Sequence, residues 1–77
     1  MQTYKQALKE CKRVGIAHAS GDALRAMYAG LIALHHGGSA EKYYAVIPQA
    51  TDQEIAEYSR SLMRDRAKAW DALMGVA

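Results

Sequence analysis

Phenylalanine is missing from this sequence, and cysteine and tryptophan occur once each. The lone Cys11 excludes an intramolecular disulfide, and with it the stapled folds of small secreted domains. A reducing compartment, the cytoplasm, is therefore expected. Long apolar runs are also lacking. The longest, Ala26 to Leu34, has nine residues with Gly30 inside it, whereas a helix needs about 20 to span a bilayer. Residues 1–13 carry four cations and no apolar core, unlike a secretory leader. The expectation is a soluble chain that makes no membrane contact.

Bulky side chains are scarce as well. Of 39 apolar residues 15 are alanine, and Leu, Ile and Val together number only 13. Such a deficit signals disorder when net charge is high. Here 10 basic against 8 acidic residues leave only +2, which excludes that reading. What remains is a set of helices packed closely through small residues, since alanine has the best helix propensity and loses no side-chain entropy on ordering. The 77 residues make one domain, 1–77. A chain of this size buries only about 60% of its unfolded surface, so its stability is marginal.

Helix signals divide the chain. Thr3 and Gln6 have the spacing of a capping box. Tyr4, Leu8, Cys11 and Gly15 share one face, and Ala7, Cys11, Gly15 and Ala19 form a ridge of small residues that invites close helix approach. The first helix is expected to run until Ser20-Gly21-Asp22, where Ser20 or Asp22 caps the second. That second helix, about Ala23 to His36, has a small face (Ala23, Ala26, Gly30, Ala33) and a large one (Leu24, Met27, Leu31, Leu34). Apolar on most sides, it should be the central, buried helix. Gly37 or Gly38 supplies a left-handed stop. Ser39 then caps a short helix from Ala40 to Val46, closed by Pro48, which restricts Ile47 to extended backbone. The stretch YYAVI could be a strand, but no partner strand is visible.

Thr51-Asp52-Gln53-Glu54 is a full capping box, with two carboxylates where the helix dipole favours them. Behind it Ile55, Tyr58, Leu62, Met63, Ala67, Trp70, Leu73 and Met74 form an apolar stripe. The predicted helix ends near Met74. Its length is about 36 Å at 1.5 Å per residue, against a diameter of about 30 Å for a compact chain of this size. The expected architecture is all-α: a compact bundle of three main helices plus one short one, with a long C-terminal helix. A helix longer than its own body points to a homo-oligomer, most simply a two-fold dimer.

Chemistry-bearing residues are few. His35 and His36 are adjacent, so they point about 100° apart on a helix and cannot both hold one ion; ligand pairs on helices stand three or four apart. Capping of the helix C-terminus, where cations are favoured, accounts for them, and His18 lies on another segment. Gly37-Gly38-Ser39 lacks the glycine spacing and lysine of a phosphate loop. Cys11 sits on the apolar stripe, as an inert buried thiol would. Carboxylates serve caps or surface pairs such as Glu57–Arg60 and Lys68–Asp71. No catalytic residue, cofactor or metal site is expected.

Two basic rows stand out: Lys5, Lys9, Lys12 with Arg13, and Arg60, Arg64, Lys68. Nucleic-acid binders show such rows, but the small net charge favours a solvated face. Ala33, Gly37 and Val46 also fall at helix-turn-helix positions. However, His36 and Gly38 occupy places that normally face the core, and Ala40 to Val46 offers only Glu41 and Lys42 as charged readers. Tyr43 and Tyr44 are adjacent, so one ring is expected at the surface, where Tyr beside Arg is typical of binding faces.

The sequence therefore predicts a small non-enzymatic interaction protein. It would be an adaptor, regulator or inhibitor of accessory or phage type, contacting another protein through Tyr43, Tyr44, Arg60, Arg64 and Lys68. The alternative is a nucleic-acid-binding regulator using Lys5, Lys9, Lys12 and Arg13. A second alternative is a metal-binding protein or enzyme built on His35 and His36.

Overall fold

Capping explains where each helix begins. The structure, a computed structural model, describes residues 2–15, 17–47 and 50–62. Among them are four helices: α1 (Tyr4–Val14), α2 (Gly21–His36), α3 (Ala40–Val46) and α4 (Asp52–Leu62). The described residues include no strand, and the YYAVI stretch lies largely within α3. The Thr3 side chain accepts from the Gln6 N–H while Gln6 reaches back to Thr3, the expected capping box. Thr51 does the same for α4: its Oγ accepts from the Glu54 N–H at 3.2 Å and donates to Glu54 Oε1 at 3.1 Å. At the end of α2, Gly37 takes φ +77° and its N–H closes on the Ala33 carbonyl at 2.9 Å. That backbone region is one L side chains rarely adopt.

Two expectations about ends are corrected. α1 does not run on to Ala19; it stops at Val14, because Gly15 adopts φ +86° and donates its N–H to the Cys11 carbonyl. The ridge of small residues therefore shortens to Ala7 and Cys11, both fully buried. The second correction concerns the cap of α2. Ser20 occupies the N-cap position but makes no side-chain capping bond. Asp52, at the start of α4, supplies it instead: its Oδ2 accepts from the Gly21 N–H at 3.0 Å.

α2 packs against each of the other three helices. Its large face, Leu24, Met27 and Leu31, joins Cys11, Ala23 and Ile55 in one buried cluster. Of its small face, Ala26 meets Ala7, Ala29 and Tyr44 in a second, while Ala33 is half-buried. A buried central helix with two apolar faces is thus present, with two departures: Ala23, expected on the small face, joins the large-face cluster, and Leu34 lies outside both. Leu34, in the last turn, is 46% exposed, because the large face runs past the buried cluster there. Within α4, Ile55 and Ser59, four apart, turn inward and are 0% and 2% exposed. The Ser59 hydroxyl is satisfied by donating to the Ile55 carbonyl at 2.8 Å. The expected continuation of this helix to Met74, with Trp70 and the Lys68–Asp71 pair, lies outside the described residues.

A polar clamp sets α4 on α2. Arg25 Nη1 donates to Asp52 Oδ1 at 3.0 Å and to the Gly21 carbonyl at 3.0 Å, and Arg25 Nη2 donates to the Ala50 carbonyl. The two helix starts meet here, and Leu62 lies beside Ile32 and His36 at the far end, so α4 runs parallel to α2. The Gly21 N–H, then the Arg25 guanidinium, hold the Asp52 carboxyl below its ordinary range. A depressed carboxylate pKa stabilises the fold above the unfolded value of about 4, and that stability is lost as pH falls through the folded value. Asp52→Asn should therefore reduce stability at neutral pH by no more than about 1 kcal/mol, because the pair is partly solvated. Its deficit against the unmodified chain should shrink toward zero on acidification. Urea midpoints measured at several pH values test this; a deficit constant down to about pH 2 would remove Asp52 from the acid response.

Candidate functional site

α4 is seated on α2 through short side chains, which leaves clefts along both of its flanks. On one flank lie Tyr28, Ile32, His36, Tyr58, Ser61 and Leu62, around a groove of about 320 Å³. On the other, Ala17, Ala19, Leu24, Met27, Ala56, Ser59 and Arg60 surround a smaller cleft of about 220 Å³. Both follow from packing: Ile55 and Ser59 occupy the seam, with Ser59 bordering the smaller cleft, and the side chains flanking them leave space on either side.

The aromatic groove is built from two helical spacings. Tyr28, Ile32 and His36 recur at every fourth position of α2, so they form one row. Tyr58, Ser61 and Leu62 answer from α4. The Tyr28 and Tyr58 rings lie 6.0 Å apart at 36°, within the distance range of interacting aromatic pairs. Tyr58 is nonetheless 47% exposed. This corrects its expected place in the buried stripe: Ile55 and Ser59 take the inward positions, and Tyr58 falls on the groove wall.

The predicted site residues are scattered. Tyr44 was expected to offer a surface ring, but it is only 7% exposed. Its ring packs with Ala7, Ala26 and Ala29 and meets Tyr4 edge-on at 5.9 Å. Its hydroxyl donates to the Gln2 carbonyl at 2.9 Å. Burial, then the Asp22 carboxylate, push the Tyr44 phenol above its ordinary range, so it stays a neutral donor. Tyr43 is half-buried, and its hydroxyl donates to the Gly37 carbonyl at 2.7 Å. Both tyrosines thus serve the α2–α3 corner. Gly38 is pressed against that corner: a side chain there would come within 3.1 Å of the Tyr43 hydroxyl.

Arg60 is exposed and lines the smaller cleft. Glu57–Arg60 is not among the ion pairs of the described residues, which are Arg13–Glu10 and Arg25–Asp52. Arg64 and Lys68 lie outside the described residues. Lys5, Lys9, Lys12 and Arg13 are all exposed on α1, and Arg13 Nε donates to Glu10 Oε2 at 2.9 Å. The helix-turn-helix comparison weakens further, because Val46, its late apolar residue, is 73% exposed.

His35 and His36 are exposed at the C-terminal end of α2, and His18 is exposed in the turn after α1. Among the described residues no three His, Cys, Asp or Glu side chains gather as metal ligands would. Cys11 is fully buried, and burial pushes its thiol above the ordinary value, the opposite of an activated nucleophile. No helix among the described residues is long and apolar enough to cross a membrane.

Three functional candidates escaped the sequence reading: Tyr28, Arg25 and the exposed face of Tyr58. The row Arg25, Tyr28, Ile32, His36 was available at spacings of three, four and four. It was obscured by the larger apolar row beside it on the same helix. No protein-family model, curated protein or solved structure matches this chain.

Proposed function

We propose that this chain is a small non-enzymatic interaction module, an adaptor, regulator or inhibitor that works by covering a surface of another protein. The observation that supports this reading is the groove beside α4, where the Tyr28–Tyr58 pair and Ile32 meet solvent. Tyrosine is enriched at protein interfaces because it combines a large apolar ring with a polar tip. The buried Cys11 thiol supports leaving nucleophilic chemistry out of the reading. A cytoplasmic setting goes with it, on the strength of the single cysteine. A second copy of the chain is one candidate partner, given the apolar stripe that the sequence continues past Leu62.

Intact-complex mass spectrometry after mild purification from the native cell tests the proposal, because it reports foreign partners and self-association together. A reproducible complex is expected. Tyr58→Ala should weaken it roughly tenfold or more, as truncation of an interfacial hot-spot tyrosine does. Repeated recovery of the bare single chain would overturn the reading, and a complex indifferent to Tyr58 would move the contact elsewhere.

The exposed row Lys5, Lys9 and Lys12 favours one second reading, a nucleic-acid-binding regulator. Phosphate neutralisation makes such binding steeply salt-dependent. If duplex and single strands both fail to bind at about 50 mM salt, that reading is finished.

A further inference from the structure

We propose that the smaller cleft, on the Arg60 flank of α4, receives one aliphatic side chain of an acidic protein segment. In that pose a carboxylate on the neighbouring residue of the segment meets the Arg60 guanidinium. This inference rests on the interaction-module reading and specifies the chemistry of the partner.

The cleft exists because alanines stand where larger residues could. Ala17 and Ala19 come from the turn after α1, Ala56 from α4, and Leu24 and Met27 from the large face of α2. Its volume of about 220 Å³ exceeds the roughly 150 Å³ in which an apolar cavity binds a benzene ring. One branched aliphatic side chain therefore fits with room to spare. Leu24 and Met27 are 4% and 3% exposed, so the apolar floor is part of the core rather than a mobile surface.

Charge decides the partner. Among the described residues, Arg60 is the one charged residue lining the cleft, and no described carboxylate pairs with it. An aliphatic group entering the cleft therefore meets a cation at the wall with no anion among the described lining residues to balance it. A carboxylate beside the aliphatic group supplies that balance. A nucleic-acid backbone would satisfy Arg60 but has nothing to place against Leu24, Met27 and the three alanines. The apolar floor therefore selects a protein segment over a phosphodiester.

The test uses matched dipeptide probes and two-dimensional amide NMR of the whole chain. Acetyl-Leu-Asp-amide should shift the resonances of Ala19, Met27 and Ala56 in a saturable way. Acetyl-Leu-Asn-amide, equal in shape but neutral, should bind about threefold more weakly, the scale of an exposed ion pair. Acetyl-Gly-Asp-amide, charged but without the aliphatic group, should leave the cleft residues unshifted. Arg60→Gln should abolish the difference between the Asp and Asn probes while leaving the fold intact, since Gln retains helix propensity. Ala56→Leu should fill the cleft and eliminate binding of both.

Shifts spread evenly over the surface would overturn the proposal, as would equal binding of the Asp and Asn probes to the unmodified chain. Competition by a single-stranded oligonucleotide for the same resonances would overturn it in favour of the basic-row reading. Failure here and failure of the interaction module are separable. A native complex that persists with Arg60→Gln and Ala56→Leu leaves the module standing and rejects this cleft as its contact.

Discussion

Leu31→Ala is expected to unfold most of the protein under conditions where the unmodified chain is folded. Leu31 lies mid-way along α2, is 0% exposed, and belongs to the cluster that holds Ile55 and Cys11. Truncating such a leucine costs about 2–5 kcal/mol, the transfer free energy of the lost carbons plus a cavity the neighbours cannot close. A single core in a domain this small rarely supplies more than about 3–5 kcal/mol. The loss is therefore of the same size as the total. Circular dichroism at 222 nm with a urea titration reads it directly. The helical signal should be largely gone before denaturant is added, or the midpoint should fall by roughly 1–3 M, since m for a small domain is about 1–2 kcal/mol per molar urea. A midpoint within experimental scatter of the parent would mean that Leu31 is not the centre of the core.

Ala26→Leu should also destabilise strongly, against the usual expectation for a larger apolar residue in a helix. Ala26 is 0% exposed and packs where Ala7, Ala29 and Tyr44 converge. Three added carbons have no space there. They must push α1 or α3 off α2, at a cost of about 1–3 kcal/mol and sometimes more. Ala45→Leu is the matched control: Ala45 is exposed on α3, so the same chemical change should be nearly neutral there. Thermal melts of the two variants decide the matter. If Ala26→Leu melts with or above Ala45→Leu, the small face of α2 is not a close helix contact.

Local signals were read from the sequence with most success. The starts of α1 and α4 depend on capping boxes three residues wide, and the end of α2 depends on a glycine next to it. Such devices act within one turn, so their spacing suffices. α1 is shorter than its pattern suggests because Gly15 has two meanings in a sequence, a small residue that admits a neighbour or a positive-φ stop. Only the backbone distinguishes them. Ser20 holds the N-cap position of α2 as its sequence suggests, but the capping bond comes from elsewhere. Asp52 lies 31 residues from Gly21, and no local pattern connects them.

The candidate site was less legible, because exposure depends on which third element covers a side chain. Tyr44 has the composition of a surface contact yet is covered by Ala7 and α2. Tyr58 lies at stripe spacing yet stands clear, since α2 needs only Ile55 and Ser59 beneath it. Arg60 was identified as an exposed base, but the hollow beside it comes from alanines on two segments. Alanine in a sequence reads as helix former, and the space it leaves is visible only once its neighbours are placed.

α2 is the one helix that the other three all lean on, and the direct contact between α1 and α3 is slight. Without α2, α1 and α3 would be rods of 11 and 7 residues, each below the roughly 12–15 residues at which isolated helices become even marginal in water. Neither of these two could keep its shape alone. The order of α1 and α3 is therefore lent to them by α2, and loosening α2 should release both together.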